Sequence, residues 1–268
     1  MKMRKILAVL MAVLMVALCF TACGGNEDSK KPTIVVGYTL YPPMNYLDEN
    51  NELIGFDTEL AKAVFENLGY EVIFKEIQWD AKYTDLASKT IDCIWNGFTC
   101  NTADDEDGVL RSEKVDFSYK YMENRQVIVV KDDANIKTAE DLKGKLGVAE
   151  GGSAGETYAK GFEGTTYKGF IKQTECLYEV KMGTADFAVV DAQLAKSYAG
   201  KGDYANLVIV DALSSDVEYY AVGFEKGSEL TAKVNEQLVV LAADGTIARL
   251  AEKYGVSNTA ITDFSDQK

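Results

Sequence analysis

The run Gly55-Phe56-Asp57-Thr58-Glu59-Leu60-Ala61-Lys62-Ala63-Val64-Phe65-Glu66-Asn67-Leu68 puts Leu60, Ala61, Val64, Phe65 and Leu68 on one face of a helix. Asp57 near its start and Gly69 just past its end read as caps. The β-branched stretch Thr33–Gly37 precedes this helix, with a Pro-rich turn at Pro42-Pro43 between them, and the strand-like Glu71–Ile77 follows it. A strand, an amphipathic helix and a second strand in series form an α/β unit. The alternation continues down the chain. Ile91–Trp95, Val127–Lys131, Leu146–Ala149, Asp186–Val190 and Leu207–Val210 have strand character. Asp80–Ser88, Ala139–Leu142, Ala154–Gly161, Gln173–Met182 and Ala192–Tyr198 have helical character, and two longer helical patterns follow at Glu229–Ala242 and Thr246–Lys253.

Upstream of this domain, Lys2, Arg4 and Lys5 precede an apolar run from Ile6 to Leu18, and Phe20-Thr21-Ala22 sets small residues before Cys23. A basic start, a short apolar core and a small-residue cleavage site make a secretory signal over residues 1–22, too short for a mature membrane span. A cysteine at the cut predicts diacylation of Cys23. The small, polar residues that follow, to residue 32, predict a flexible tether. The expected location is therefore the extracytoplasmic face of the cell membrane, on a lipid anchor.

Cleavage would remove three basic residues and no acid, moving the net charge from −14 to −17. Such a surface repels nucleic acid and anionic headgroups. The sequence contains no histidine, which excludes imidazole-based catalysis and the commonest zinc ligand. Beyond Cys23, the cysteines Cys93, Cys100 and Cys176 have no metal-type spacing and read as free or buried thiols, so neither metal nor cofactor is expected.

Several stretches together resemble the extracellular solute-binding proteins of polar amino-acid ABC transporters, the family 3 type, in lipoprotein form. Tyr41-Pro42-Pro43-Met44-Asn45-Tyr46 followed by Gly55-Phe56-Asp57-Thr58 resembles that family's opening strand, loop and first helix. Asp92-Cys93-Ile94-Trp95-Asn96-Gly97-Phe98-Thr99 is similar to its cleft strand, and Val115-Asp116-Phe117-Ser118 to the segment before its first crossover. Gly147-Val148, Ala185-Asp186-Phe187-Ala188-Val189-Val190-Asp191, and Ala243-Asp244-Gly245-Thr246 with Lys253-Tyr254-Gly255 continue the match in order. The resemblance implies a two-lobed, periplasmic-binding-protein-like (Venus flytrap) α/β fold with two hinge crossovers. Lobe one would comprise residues 33–126 plus 219–258, and lobe two residues 127–218. It also implies a monomeric receptor, not an enzyme, that binds a free amino acid between the lobes and delivers it to an ABC permease.

A zwitterion stripped of water needs both of its charges answered. The resemblance assigns the α-carboxylate to Arg111, whose planar fork suits it, with Thr99 and the backbone of Gly97 as further contacts. Gly151-Gly152-Ser153 resembles the family's small-residue turn, where free amides and a serine hydroxyl would favour an anion. Asp191 is assigned to the α-ammonium, while Asp186 reads as structural. Tyr41 and Trp79 match the aromatic walls around the ligand's side chain. Where some relatives carry acidic or polar groups, this sequence has Tyr38, Ala149 and Val190, which predicts an uncharged, aromatic or sulfur-containing ligand over a basic one. The segment Cys100–Leu110 is expanded by the acidic insert Ala103-Asp104-Asp105-Glu106-Asp107-Gly108, which fails the calcium-loop pattern and reads as a solvated loop. The competing expectation is a cyclohexadienyl dehydratase-like enzyme on the same fold, with Glu150 or Asp191 as its acid.

Overall fold

The computed structural model describes residues 31–104 and 107–267. The signal segment, Cys23 and nearly all of the expected tether lie outside the described residues. Fourteen strands follow in chain order: β1 (Thr33–Tyr38), β2 (Tyr46–Leu47), β3 (Leu53–Ile54), β4 (Glu71–Glu76), β5 (Cys93–Ile94), β6 (Asp116–Phe117), β7 (Met122–Asn124), β8 (Gln126–Lys131), β9 (Leu146–Glu150), β10 (Thr166–Phe170), β11 (Phe187–Asp191), β12 (Leu207–Val210), β13 (Glu218–Tyr220) and β14 (Gly223–Phe224).

They form two five-stranded mixed sheets, ordered β4-β1-β5-β14-β6 and β10-β9-β11-β8-β12. In the first, β1 runs parallel to β4 and β5, while β14 runs antiparallel to β5 and β6. In the second, β9 runs parallel to β10 and β11, and β8 lies antiparallel to β11 and β12. The central strands β8 and β11 are buried almost end to end, which accounts for their unbroken apolar runs. The chain passes from the first sheet to the second through β7 and returns through β13. These two crossing strands pair antiparallel, with Glu218 opposite Asn124. The fold is the two-lobed, periplasmic-binding-protein-like architecture.

The helix Phe56–Asn67 packs Phe56, Leu60, Ala61, Val64 and Phe65 into the first lobe's core. Gly69, at φ 85, ends it as expected. Asp57 does not cap it. The N-cap position falls on Gly55, and the Asp57 carboxylate is fully buried, accepting hydrogen bonds from the Gly97 amide (2.7 Å) and the Tyr121 hydroxyl (2.9 Å). Burial pushes its pKa up to about 7 against those two bonds. Asp57 thus ties the first helix to the cleft strand. Asp186 accepts from the Leu146 amide (2.8 Å), a structural role. Cys93, Cys100 and Cys176 are free thiols, and the described residues hold no cluster of acids and thiols suited to a metal.

The lobes are closed on each other. From the first lobe, Arg111 Nη2 and Lys82 Nζ both donate to the Gly152 carbonyl of the second, at 3.2 and 3.0 Å. At the rim, Lys172 Nζ pairs with Glu76 at 2.7 Å.

Candidate functional site

Strands of both sheets end at the interlobe cleft, where an α/β fold places its ligands. Tyr41, Trp79, Gly97, Thr99, Arg111, Ser153 and Asp191 line one cavity there, with Gly152 bordering it through its carbonyl. The sequence-predicted set is therefore brought together.

Arg111 opens the short helix Arg111–Lys114 and is 1% exposed. Its Nε donates to Asp104 (2.8 Å) and its Nη1 to the Thr99 carbonyl (3.3 Å), while the guanidinium lies over the Phe98 ring. Asp104 belongs to the acidic insert, which corrects the expectation of a solvated loop. Asp104 is 6% exposed and also pairs with Lys114 at 2.8 Å. Burial opposes its ionisation, but Lys114 and Arg111 outweigh that and hold its pKa below the usual carboxylate value. The expanded segment thus folds back to brace the arginine. Removing one member of a buried charged hydrogen bond costs about 1–3 kcal/mol. Asp104→Ala should lower unfolding stability by about that much in denaturant titration; an unchanged midpoint would show the brace to be idle.

Gly97 sits at φ 58, and a Cβ there would meet the Tyr41 ring at 2.6 Å, so only glycine fits. Its amide is taken by Asp57, which leaves the carbonyl as the backbone group of Gly97 free of that bond and an acceptor suited to an ammonium. The Gly151-Gly152-Ser153 turn also differs from expectation, since its amides are occupied. Gly151 donates to the Phe170 carbonyl, Gly152 to the Glu156 carboxylate and Ser153 to the Glu150 carbonyl. Ser153 Oγ caps the helix Ala154–Lys160 by accepting from the Glu156 amide, leaving its hydroxyl hydrogen for the cavity. The N-cap role foreseen for Ser153 is present.

Asp191 ends β11 and occupies an N-cap position, yet makes no side-chain cap bond. Its carboxylate turns to the cleft, accepting from Asn124 Nδ2 and Gln126 Nε2 at 2.6 Å each and from Gln173 Nε2 at 2.5 Å. Burial raises its pKa despite those bonds. The Tyr41 hydroxyl bonds that of Tyr220 (2.7 Å), and Trp79 stands edge-on to Phe98.

Thr39, Asn96, Glu150, Ala154 and Gln173 also line the cavity and are absent from the sequence-predicted set. Glu150 had a legible signal, because it ends an apolar strand at the cleft as Asp191 does. It is 4% exposed, and burial, reinforced by Asp191 and opposed by Lys82, raises its pKa to about 8. Lys82, itself 2% exposed, is depressed to about 7 by burial and by Arg111. The expected preference for an uncharged over a basic ligand finds no support in the cavity lining. Ala149 and Val190 are packed in the cores, and Tyr38 lies against Phe74, so none of the three lines the cavity, whereas the acidic Glu150 does.

Residues 34–257 match the sequence profile of the bacterial extracellular solute-binding proteins, family 3. The chain belongs to that family. This solute-binding protein is 32% identical over 256 residues to the arginine-binding extracellular protein ArtP of Bacillus subtilis, covering 90% of this chain and 96% of the relative. It is 31% identical over 234 residues to the L-cystine-binding protein TcyJ of Escherichia coli, covering 85% of each. Among solved structures it is similar to an ancestral arginine-binding protein bound to arginine, at TM-score 0.75 and 36% identity over 84% of this chain and 98% of that one. Its relatives are amino-acid-binding proteins of ABC transporters, and amino-acid binding is the family's role.

Proposed function

We propose that this protein is a lipid-anchored receptor that encloses one free amino acid as a zwitterion and hands it to an ABC permease. The observation that carries the reading is the meeting of Arg111 and Asp191, from opposite lobes, at one cavity walled by Tyr41 and Trp79. Arg111, with the Ser153 hydroxyl, takes the α-carboxylate, and Asp191, with the Gly97 carbonyl, takes the α-ammonium. Glu150 supports a side chain that is cationic or donates hydrogen bonds, in keeping with the arginine-binding relative.

A thermal-shift panel of the free L-amino acids and cystine, with L-arginine first, tests this. A true ligand at 100 times its Kd stabilises by about 2.7 kcal/mol. At least one free amino acid should raise the melting temperature while its decarboxylated amine does not. Equal shifts from both, or no shift at all, would overturn the reading. Anchoring rests on Cys23, since two acyl chains hold where one binds only marginally. Cys23→Ser should release the protein from the membrane fraction, and a Cys23→Ser protein still sedimenting with membranes would refute the anchor.

One observation favours a second reading. A carboxyl kept protonated near neutral pH, as at Glu150, can serve as a general acid. A similar solved structure, 34% identical at TM-score 0.74, is an ancestral amino-acid-binding protein described as a precursor of cyclohexadienyl dehydratase. Product formed from prephenate or arogenate, and abolished by Glu150→Gln, would establish the enzyme; its absence would leave the receptor alone.

A further inference from the structure

Asp191 shares its donors with a second buried carboxylate. Glu218 opens β13, one crossing strand, and Asn124 closes β7, the other, while Gln126 lies just beyond it at the start of β8. Asn124 Nδ2 donates to Asp191 Oδ1 and to Glu218 Oε1, both at 2.6 Å. Gln126 Nε2 donates to the same two oxygens, at 2.6 and 2.7 Å. Two carboxylate oxygens, on residues 6% and 4% exposed, are therefore held by the same pair of neutral amides. The other side-chain partners of Asp191, Gln173 and the Tyr220 hydroxyl, are neutral as well.

Several titratable groups face this pair. From β9 comes Glu150, from the loop after β1 comes Tyr41, and from β13 itself comes Tyr220. Arg111 is the positive charge acting on Glu218, and in the reading above it is engaged by the ligand's carboxylate. Two buried carboxylates with only neutral donors do not both remain ionised. Burial, followed by Asp191, raises Glu218 to about 7.

We infer that Glu218 carries a proton which the ligand displaces. When the ligand's ammonium settles on Asp191, the pair gains the cation it lacks, Glu218 ionises, and its proton passes to the solvent. Amino-acid uptake is then linked to proton release at the strands on which the lobes hinge. Glu218 acts as a positioning residue, tuning Asp191 through their shared amides. The inference rests on the ammonium assignment made above.

The sign follows from linkage. Binding prefers the ionised pair, so affinity should weaken as pH falls below about 7, by up to about tenfold per pH unit. The test is calorimetry at pH 6.5 in two buffers of different ionisation enthalpy. The probe is the amino acid that stabilises the protein most in the thermal panel, starting with L-arginine. Wild type should release more than about half a proton per ligand, and Glu218→Gln should release fewer than wild type by about that amount. Wild-type release below about 0.2 protons, or equal release from Glu218→Gln, would overturn the inference.

A ligand-free measurement keeps this separate from the receptor reading. At pH 6, the infrared difference between wild type and Glu218→Gln should contain the carbonyl band of a protonated carboxyl. Its absence would refute the proton on Glu218 even if every amino acid binds as expected.

Discussion

Arg111→Ala should weaken binding of every amino acid the protein accepts by about 30-fold to several-thousand-fold. That range corresponds to the roughly 2–5 kcal/mol typical of removing one partner from a desolvated charge pair. Uniformity across ligands is the diagnostic part, because Arg111 answers the carboxylate that all of them carry. Arg111 is oriented by Asp104 on Nε, the Thr99 carbonyl on Nη1 and Phe98 beneath it. Little of the ligand's binding energy is then spent on ordering the side chain. The variant also loses a bond between lobes, since Nη2 reaches the Gly152 carbonyl. Closure should therefore suffer along with affinity, leaving scattering curves of the variant with and without ligand alike while those of wild type contract. Calorimetry showing Arg111→Ala binding as tightly as wild type would mean that the carboxylate is held elsewhere in the cleft.

Legibility in the sequence followed burial. Strands such as β8 and β11 were readable because both faces are covered and the residues are apolar throughout. β10 was not, because its Thr166–Phe170 backbone pairs at a sheet edge with largely exposed side chains and no apolar period. The crossings β7 and β13 were too short and too polar to carry a period, and their three-residue pairing is set by the lobes on either side. Long-range partners misled most. Asp57 stands where a cap would, yet its environment is fixed by Gly97, forty positions away. Asp104 looked like one acid in a solvated run, and only the folded loop sets it against Arg111. The charged pair at the centre of the cleft was legible through family-like motifs at strand ends. Glu218 was not, because nothing local says that an acid will be buried, whereas Glu150 ends an apolar strand as Asp191 does and was passed over.

Asp191→Asn should also reduce affinity for all amino acids by about 30-fold to several-thousand-fold, for the complementary reason that the α-ammonium loses its countercharge. Asparagine keeps the volume but turns one acceptor into a donor amid three amide donors, from Asn124, Gln126 and Gln173. Some loss of stability should accompany the loss of binding, and the two must be read separately. Denaturant titration gives the first, and calorimetry well below the unfolding transition gives the second. The wall residues supply the contrast. Tyr41→Ala and Trp79→Ala remove rings that face the ligand's side chain, so their penalties should differ from one amino acid to the next. Glu218→Gln leaves Asp191 its charge and should therefore not mimic Asp191→Asn. An Asp191→Asn protein that binds within about threefold of wild type while its fold is intact would place the ammonium on Glu150, the other acid in the cavity.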